Sequence, residues 1–302
     1  MPQILYPPAR AQTLGEVLKS SARIFRLSLN ATLPYAIIVA VCGDLANLRN
    51  LSQGLPVQSF DSTDPVWWAW NVVGSILALL FGSALLLRQK ALAAGEPASI
   101  VAELRQAGVL LSRLIVCVAL STLVISFSLL PFGLALPMTG LNPSLVGHAA
   151  AVNVGMLLLL IPLSLPAAWL ALGLFFAPPA LVLKKLGPID AMRHSYLLLR
   201  GNWWRTAALS AALLGVLLGL LLLVASLAAA AVQIAGVTDP KVVATLAVPL
   251  GIACGAIIVP WCGAQVLAMM GDLTVRQDEA RRAGTDNGGG TGKGTGKGTG
   301  LT

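Results

Sequence analysis

Charged residues are scarce in this sequence, and their scarcity excludes most classes of soluble protein. Asp, Glu, Lys and Arg make up 11% of the 302 residues, whereas a globular domain carries about 25%. Hydrophobic residues reach 57%, and the mean hydropathy is +0.83. So few charges cannot cover the surface of a soluble core, and the same figures exclude disorder for most of the chain. We therefore predict that lipid surrounds the protein.

Histidine and cysteine are also few, which argues against metal and redox chemistry. The two histidines, His148 and His194, form no H-x-x-x-H pair, and the four cysteines form no Cys-x-x-Cys pair. No G-x-S-x-G nucleophile motif occurs. The Gly-Lys pair in the C-terminal tail has Gly294 where a phosphate-binding loop requires Ser or Thr. The sequence thus offers no catalytic, metal-binding or cofactor-binding residue, and we predict a protein that is not an enzyme.

Apolar residues are concentrated in six segments that are long enough to cross a bilayer. A membrane helix needs about 20 apolar residues, and a spanning segment must satisfy its own backbone hydrogen bonds, which favours helices. The segments cover approximately 27–47, 66–88, 109–137, 152–183, 206–235 and 242–271. We predict an all-α, six-helix transmembrane domain over residues 1–275 and a disordered Gly/Thr-rich tail over 276–302.

The basic residues fall almost entirely on one side of the predicted bundle. Arg49 and Lys241 lie in the loops 48–65 and 236–241, and the other 18 of the 20 cations lie on the opposite side. Because cytoplasmic loops collect Lys and Arg, both termini and the connectors between hairpins are predicted to be cytoplasmic. The pI of 9.7 then reflects topology and anionic lipid, and nucleic acid is not an expected partner.

Charged residues also repeat at an interval of 87 positions, which predicts three copies of one unit. The equivalent acids are Glu16, Glu103 and Asp190, and the equivalent arginines are Arg26, Arg113 and Arg200. Each unit consists of an amphipathic cytoplasmic helix, which we call an elbow, and a two-helix hairpin. The units cover about 11–90, 97–184 and 187–275.

The elbows have an apolar stripe and a basic face, which is typical of helices that lie in the headgroup plane. Thr13 and Glu16 form a capping box at the first elbow, and Pro188 suits the first position of the third. Two interpretations stay open: the elbows pack on the bundle as connectors, or they bind lipid headgroups. The candidate headgroup contacts are Arg26, Arg113, Arg200, Asn202, Trp203, Trp204 and Arg205.

The third elbow resembles the signature of a bacterial membrane family. Its run from Gly187 to Arg205 has a Gly-Pro-hydrophobic-acidic-Ala start, a central Ser and an Arg-Gly-Asn-Trp-Trp-Arg end. This is similar to the YciC-type uncharacterised inner-membrane proteins, which are related to the membrane domain of glycerophosphoryl diester phosphodiesterases. The resemblance implies a multi-pass protein of the bacterial inner membrane, and it implies no activity, because the phosphodiesterase chemistry belongs to a separate soluble domain.

These observations favour a non-enzymatic protein that organises or senses anionic lipid through its basic elbows. The alternative is a transporter of a lipid or another amphiphile, in which Pro162 and Pro166 would unwind the fourth span beside a cavity. That cavity would be lined by Asn153, Ser164 and Gln265. Small-residue spacings such as Gly215-x-x-x-Gly219 predict close helix packing, with a homo-oligomer or another membrane protein as alternative partners.

Overall fold

The computed structural model describes residues 5–55, 64–97, 99–135, 154–234 and 240–288, and its regular elements there are α-helices. In chain order they are α1 (Leu14–Gly43), α2 (Leu45–Ser52), α3 (Pro65–Ala94), α4 (Ile100–Ser128), α5 (Leu130–Ala135), α6 (Val154–Leu174), α7 (Ala177–Lys184), α8 (Pro188–Leu199), α9 (Trp203–Ile234) and α10 (Pro240–Gly288). Six helical segments are long and apolar enough to cross a membrane. The predicted all-α, six-span bundle is confirmed.

Local sequence explains where several helices begin and end. The predicted capping box is present at α1, because Thr13 Oγ1 accepts from the Glu16 backbone N–H and the Glu16 carboxylate accepts from the Thr13 N–H. Pro188 occupies the start of α8, as predicted. Helix α3 ends at Gly95, whose positive φ of 72° closes the helix in a left-handed conformation.

Helices α1, α3 and α10 form the centre of the bundle. Their buried contacts include Val17 and Ile24 of α1, Leu86 of α3, and Leu267 and Met270 of α10. By contrast, the apolar side chains of α9 are largely exposed, as expected for a helix that faces lipid. The core therefore lies along α1 and α10, and α9 lies at its edge.

Small residues allow the central helices to approach closely at two points. A Cβ at Gly74 of α3 would meet the backbone oxygen of Cys42 at 2.2 Å, and one at Gly255 of α10 would meet Ala40 of α1 at 3.0 Å. In contrast, a Cβ at Gly215 or Gly219 of α9 would meet no atom within 4 Å. The close packing predicted at Gly215-x-x-x-Gly219 is thus not formed with other described residues, whereas Gly255 does allow a close approach.

The three elbows differ in how they join their hairpins. The first and second elbows are continuous with their spans, in α1 and α4, whereas the third is the separate helix α8. The chain leaves the helix at Arg200 and turns through Gly201, whose φ is +86°. The equivalent positions of the other units hold Leu27 and Leu114, which do not favour a positive φ, so those helices continue.

The fourth span is interrupted, but not at the two prolines that the transporter alternative requires. Helix α6 continues through Pro162 and Pro166, and the break lies between α6 and α7, at Phe175 and Phe176. Pro178 and Pro179 lie in the first turn of α7, where the missing N–H of a proline costs no helical hydrogen bond, so the chain restarts a helix here. The unwound segment on which the transporter alternative depended is therefore not present at Pro162 and Pro166.

Two predicted boundaries also differ from the structure. The third span ends at Ser128 and is followed by the short helix α5, although the prediction extended it to residue 137. Helix α10 continues through Gly288, past the predicted end of the membrane domain at 275, and just beyond that boundary Arg276 and Gln277 donate to the Gln12 and Leu197 backbone oxygens. The rest of the predicted tail, 289–302, lies outside the described residues, as do His148 and Asn153.

Candidate functional site

The ends of several helices meet at one face of the bundle, which we call the basic end. It contains the starts of α1, α4, α8 and α9 and the C-terminal ends of α3, α7 and α10. The Leu5 N–H donates to the Ala93 oxygen at the end of α3 (2.8 Å). Gln277 Nε2, near the end of α10, donates to the Leu197 oxygen of α8 (2.7 Å). All three elbows lie at this face.

The third elbow lines a cavity of about 420 Å³ between α6, α8 and α9. Its lining consists of Trp169, Gly173, Tyr196, Leu199, Arg200, Gly201 and Trp203. The rings of Trp169 and Tyr196 meet edge to face, with centroids 5.5 Å apart. The cavity therefore combines aromatic walls with one guanidinium group.

A buried serine holds α8 against the rest of this site. Ser195 Oγ donates to the Gly173 oxygen (2.6 Å) and accepts from the Phe176 N–H (3.1 Å). These two backbone groups lose their helical partners at the break between α6 and α7, so the hydroxyl replaces both bonds. Ser195 is also the central Ser of the run that carries the family resemblance. The break in one helix thus fixes the position of the next.

The structure brings Arg200 and Trp203 together, with Asn202 and Trp204 beside them. Asn202 caps α9, because its backbone oxygen accepts from the Thr206 N–H (3.0 Å). Trp204 is 81% exposed and meets Trp203 edge to face at 4.7 Å. The buried indole N–H of Trp203 has no acceptor among the described residues. Arg200 and Trp203 therefore line one cavity, and Trp203 has an indole N–H without a partner in the described part of the chain.

Arg205, another predicted headgroup contact, points into a buried ion-pair network instead. Asp272 of α10 is 1% exposed, and its carboxylate accepts from Arg205 Nε (3.0 Å) and Arg276 Nε (3.1 Å). The same carboxylate accepts from the Gln12 N–H (2.6 Å). Both guanidinium groups also donate to the Gln12 oxygen. The network ties α9, α10 and the segment before α1 together.

Sequence reasoning missed Asp272 because it lies just beyond the predicted sixth span. The available signal was its spacing of four residues from Arg276, which favours an ion pair on one helix face. A second buried acid is Glu103, which the sequence identifies only as one of the acids that recur every 87 residues. Its carboxylate accepts from Arg88 (3.2 Å) and from the Tyr35 hydroxyl (3.0 Å).

The first two elbows also line cavities, but with cations other than the predicted arginines. The first cavity, of about 550 Å³, is lined by Arg10, Lys19 and Arg23 among others. The second, of about 530 Å³, is lined by Arg105 and Lys185 among others. The predicted Arg26 and Arg113 are exposed on the sides of α1 and α4. A basic cavity at each elbow is thus common to the three units, whereas the residue that supplies the charge is not.

A histidine of the third elbow is kept neutral by its surroundings. Burial lowers the pKa of His194, and the nearby Lys184 and Arg281 lower it further. Its Nε2 lies 2.9 Å from Lys184 Nζ, so the neutral ring can accept a hydrogen bond from the ammonium group. Among the residues that the structure describes, no group of three His, Cys, Asp or Glu side chains could hold a metal ion.

Comparison with known proteins adds no relative to this description. The chain matches no family model, no curated protein and no solved structure. The resemblance of the third elbow to the YciC-type family therefore stays a prediction.

Proposed function

We propose that this protein binds anionic lipids at its basic end and organises or senses them without catalysing a reaction. The cavity at Arg200 is the principal headgroup site in this proposal. The observation that carries it is the meeting of one arginine with three aromatic side chains in a cavity of about 420 Å³, where one of the three, Trp203, has an indole N–H without a partner among the described residues.

The chemistry of these groups suits a lipid headgroup. A guanidinium group can donate two parallel hydrogen bonds to a phosphate, and the Trp203 indole N–H supplies another donor. Tryptophan and tyrosine are favoured at the membrane–water interface, because one end of each ring system is apolar and the other is polar. Arg200, Trp203 and Tyr196 would therefore hold the phosphate, while the adjacent exposed face of α9 contacts the acyl chains.

The proposed compartment is the bacterial inner membrane, with both termini and all elbows in the cytoplasm. An anionic cytoplasmic leaflet attracts each nearby Lys or Arg by about 1 kcal/mol. In this arrangement Arg26 and Arg113, which are exposed, contribute general attraction to the leaflet. Arg200 contributes the same attraction and also binds within a defined cavity.

Transport of a lipid or another amphiphile is the second candidate. It draws on an apolar cavity of about 340 Å³, which is lined by residues of α3, α4, α7 and α10 and by Phe175. The side chain of Gln265 is 1% exposed, and both of its polar atoms lack partners among the described residues. Ser164 is half-buried and its hydroxyl donates to the Ile161 oxygen of its own helix. Neither Gln265 nor Ser164 is among the residues that line this cavity.

The test compares Arg200→Gln with Arg193→Gln, which removes an exposed cation from the same elbow. Binding of phosphatidylglycerol is measured by native mass spectrometry and with lipid nanodiscs. We expect Arg193→Gln, like Arg26→Gln or Arg113→Gln, to weaken binding about fivefold or less, as for one juxtamembrane cation. Arg200→Gln should weaken it by more than fivefold, because it also removes the bonds within the cavity.

Two further variants separate the parts of this proposal. Trp203→Phe keeps the aromatic wall and removes the indole donor, so it should weaken binding while leaving the thermal stability near that of the wild type. The triple variant Arg26→Gln, Arg113→Gln and Arg200→Gln should lose the most affinity. Equal affinity of the triple variant and the wild type would overturn lipid binding and leave these arginines as determinants of topology.

A further inference from the structure

The cavity at the first elbow, which is separate from the Arg200 site, lies between the segment 5–12 and α1. Its volume is about 550 Å³, which is within the range of about 300–1,000 Å³ that is typical of small-molecule sites. The charged residues that line it are Arg10, Glu16, Lys19 and Arg23. Three cations and one acid give this cavity two net positive charges.

The walls of this cavity are held in place by bonds at both ends of the segment 5–12. The Leu5 N–H donates to the Ala93 oxygen at one end (2.8 Å), and the Gln12 N–H donates to Asp272 at the other (2.6 Å). Gln12 Nε2 also donates to Ser20 Oγ of α1 (3.0 Å). The cavity is therefore formed before any ligand binds, which reduces the entropic penalty of binding.

The one acid of the cavity already forms an ion pair, whereas two of its three cations do not form one with any described residue. Glu16 pairs with Arg10 (2.9 Å) and caps α1 at Thr13. Lys19 and Arg23 have no carboxylate partner among the described residues. They are four positions apart on one helix, where like charges repel each other. An anion between them would remove this repulsion.

We propose that this cavity binds a phosphate monoester in its dianionic form. The second pKa of a phosphate monoester is about 6, so at neutral pH its charge of nearly −2 matches the two net positive charges. Arg23 offers a planar fork to two phosphate oxygens, Lys19 offers a compact charge, and Ser20 offers a hydroxyl. The same phosphate group occurs on the lipid phosphatidic acid and on soluble phosphorylated metabolites.

The experiment measures preference for a monoester over a diester, and matched variants separate binding in the cavity from general attraction to the additional negative charge. Full-length protein is titrated with nanodiscs that contain phosphatidic acid or phosphatidylglycerol, and in detergent with glycerol 3-phosphate. We expect the wild type to bind phosphatidic acid at least about tenfold more tightly than phosphatidylglycerol. The headgroup of phosphatidic acid carries one additional negative charge, which can accept at least one more ionic hydrogen bond from the cavity. Calorimetric binding of glycerol 3-phosphate would identify a soluble ligand, and its absence would identify the lipid as the source.

The variant Lys19→Gln/Arg23→Gln should abolish this preference. Its matched control, Arg26→Gln/Arg113→Gln, also removes two exposed elbow cations but leaves the cavity intact. The control should weaken the binding of both lipids similarly and retain the preference. If the double variant fails to fold, Lys19→Gln alone should reduce the preference.

Two results would overturn this inference. One is equal binding of phosphatidic acid and phosphatidylglycerol by the wild type with no binding of glycerol 3-phosphate, and the other is an unchanged preference in the Lys19→Gln/Arg23→Gln variant. Arg200→Gln distinguishes the two sites, because it should weaken phosphatidylglycerol binding and leave the binding of the phosphate monoester by the cavity at the first elbow unchanged. The experiment can therefore show that one of the two cavities does not bind its ligand while the other does.

Discussion

At the scale of single residues, Asp272 is the acid on which the basic end depends most. Its carboxylate is buried and accepts from two guanidinium groups and one backbone N–H. A buried pair stabilises a protein only where both partners and their remaining hydrogen bonds are present. Removing the acid would leave Arg205 and Arg276 side by side without a counter-charge and would remove the acceptor of the Gln12 N–H.

We therefore expect Asp272→Asn to lower the free energy of unfolding by about 3 kcal/mol. The measurement is unfolding in a detergent titration, followed by circular dichroism. Asp278→Asn is the control, because Asp278 lies on the same helix and is exposed, and it should change the free energy by about 0.5 kcal/mol or less. Equal effects of the two substitutions would contradict a special role for the buried carboxylate.

At the scale of helices, the packing of α1 against α3 depends on the absence of a side chain at Gly74. A Cβ there would lie 2.2 Å from the Cys42 oxygen, which is a backbone atom and cannot rotate away. Gly82 lies two turns further along α3, and a Cβ there would meet no atom within 4 Å. The two glycines differ in what surrounds them although they share one helix.

This difference predicts opposite effects of the same substitution. Gly74→Ala should lower the free energy of unfolding by about 1–3 kcal/mol, because α1 and α3 must move apart. Gly82→Ala should leave it unchanged or raise it by up to about 1 kcal/mol, since alanine restricts the unfolded chain more than glycine does. Both are measured by the same detergent titration. A stability loss of similar size in both variants would mean that helix propensity, and not the contact with Cys42, decides the outcome.

At the scale of the whole molecule, the distribution of charge predicts the orientation of the bundle. Of the two cations on the side opposite to the basic end, Arg49 is paired with Asp64 at 2.8 Å. The hydrogen bond from Arg49 lowers the pKa of this carboxyl, so the pair stays ionised. The excess of Lys and Arg at the basic end predicts that this end faces the cytoplasm.

Cysteine labelling tests this orientation in intact cells. In a variant without the four native cysteines, Gln53→Cys should react with a membrane-impermeant maleimide from outside, because Gln53 is exposed beside α2. Arg282→Cys, at the other end, should react only after the cells are permeabilised. The variant without any cysteine gives the background. Labelling of both positions from the same side would remove the six-span topology.

The sequence by itself determined the fold class, the number of spans and the segregation of charge. Each depends on composition or on short-range pattern: lipid requires long apolar helices, and Thr13 and Glu16 lie close enough in the chain to form their cap. The basic character of the elbows also follows from sequence alone. The sequence pattern could not predict the surroundings of each cation. Arg26 is exposed and Arg205 belongs to a buried ion-pair network, although both are arginines near the start of a span.

Only the tertiary structure decided which residues share a cavity or a bond. Asp272 meets Gln12 across 260 positions of the chain, and no local pattern reports a contact at that separation. The same is true of Trp169 and Tyr196, which meet because Ser195 fixes α8 at the break before α7. Helix formation depends on neighbours three and four residues apart, whereas the site depends on how whole helices pack. The sequence therefore determined the helices, and packing alone decided where their charges meet.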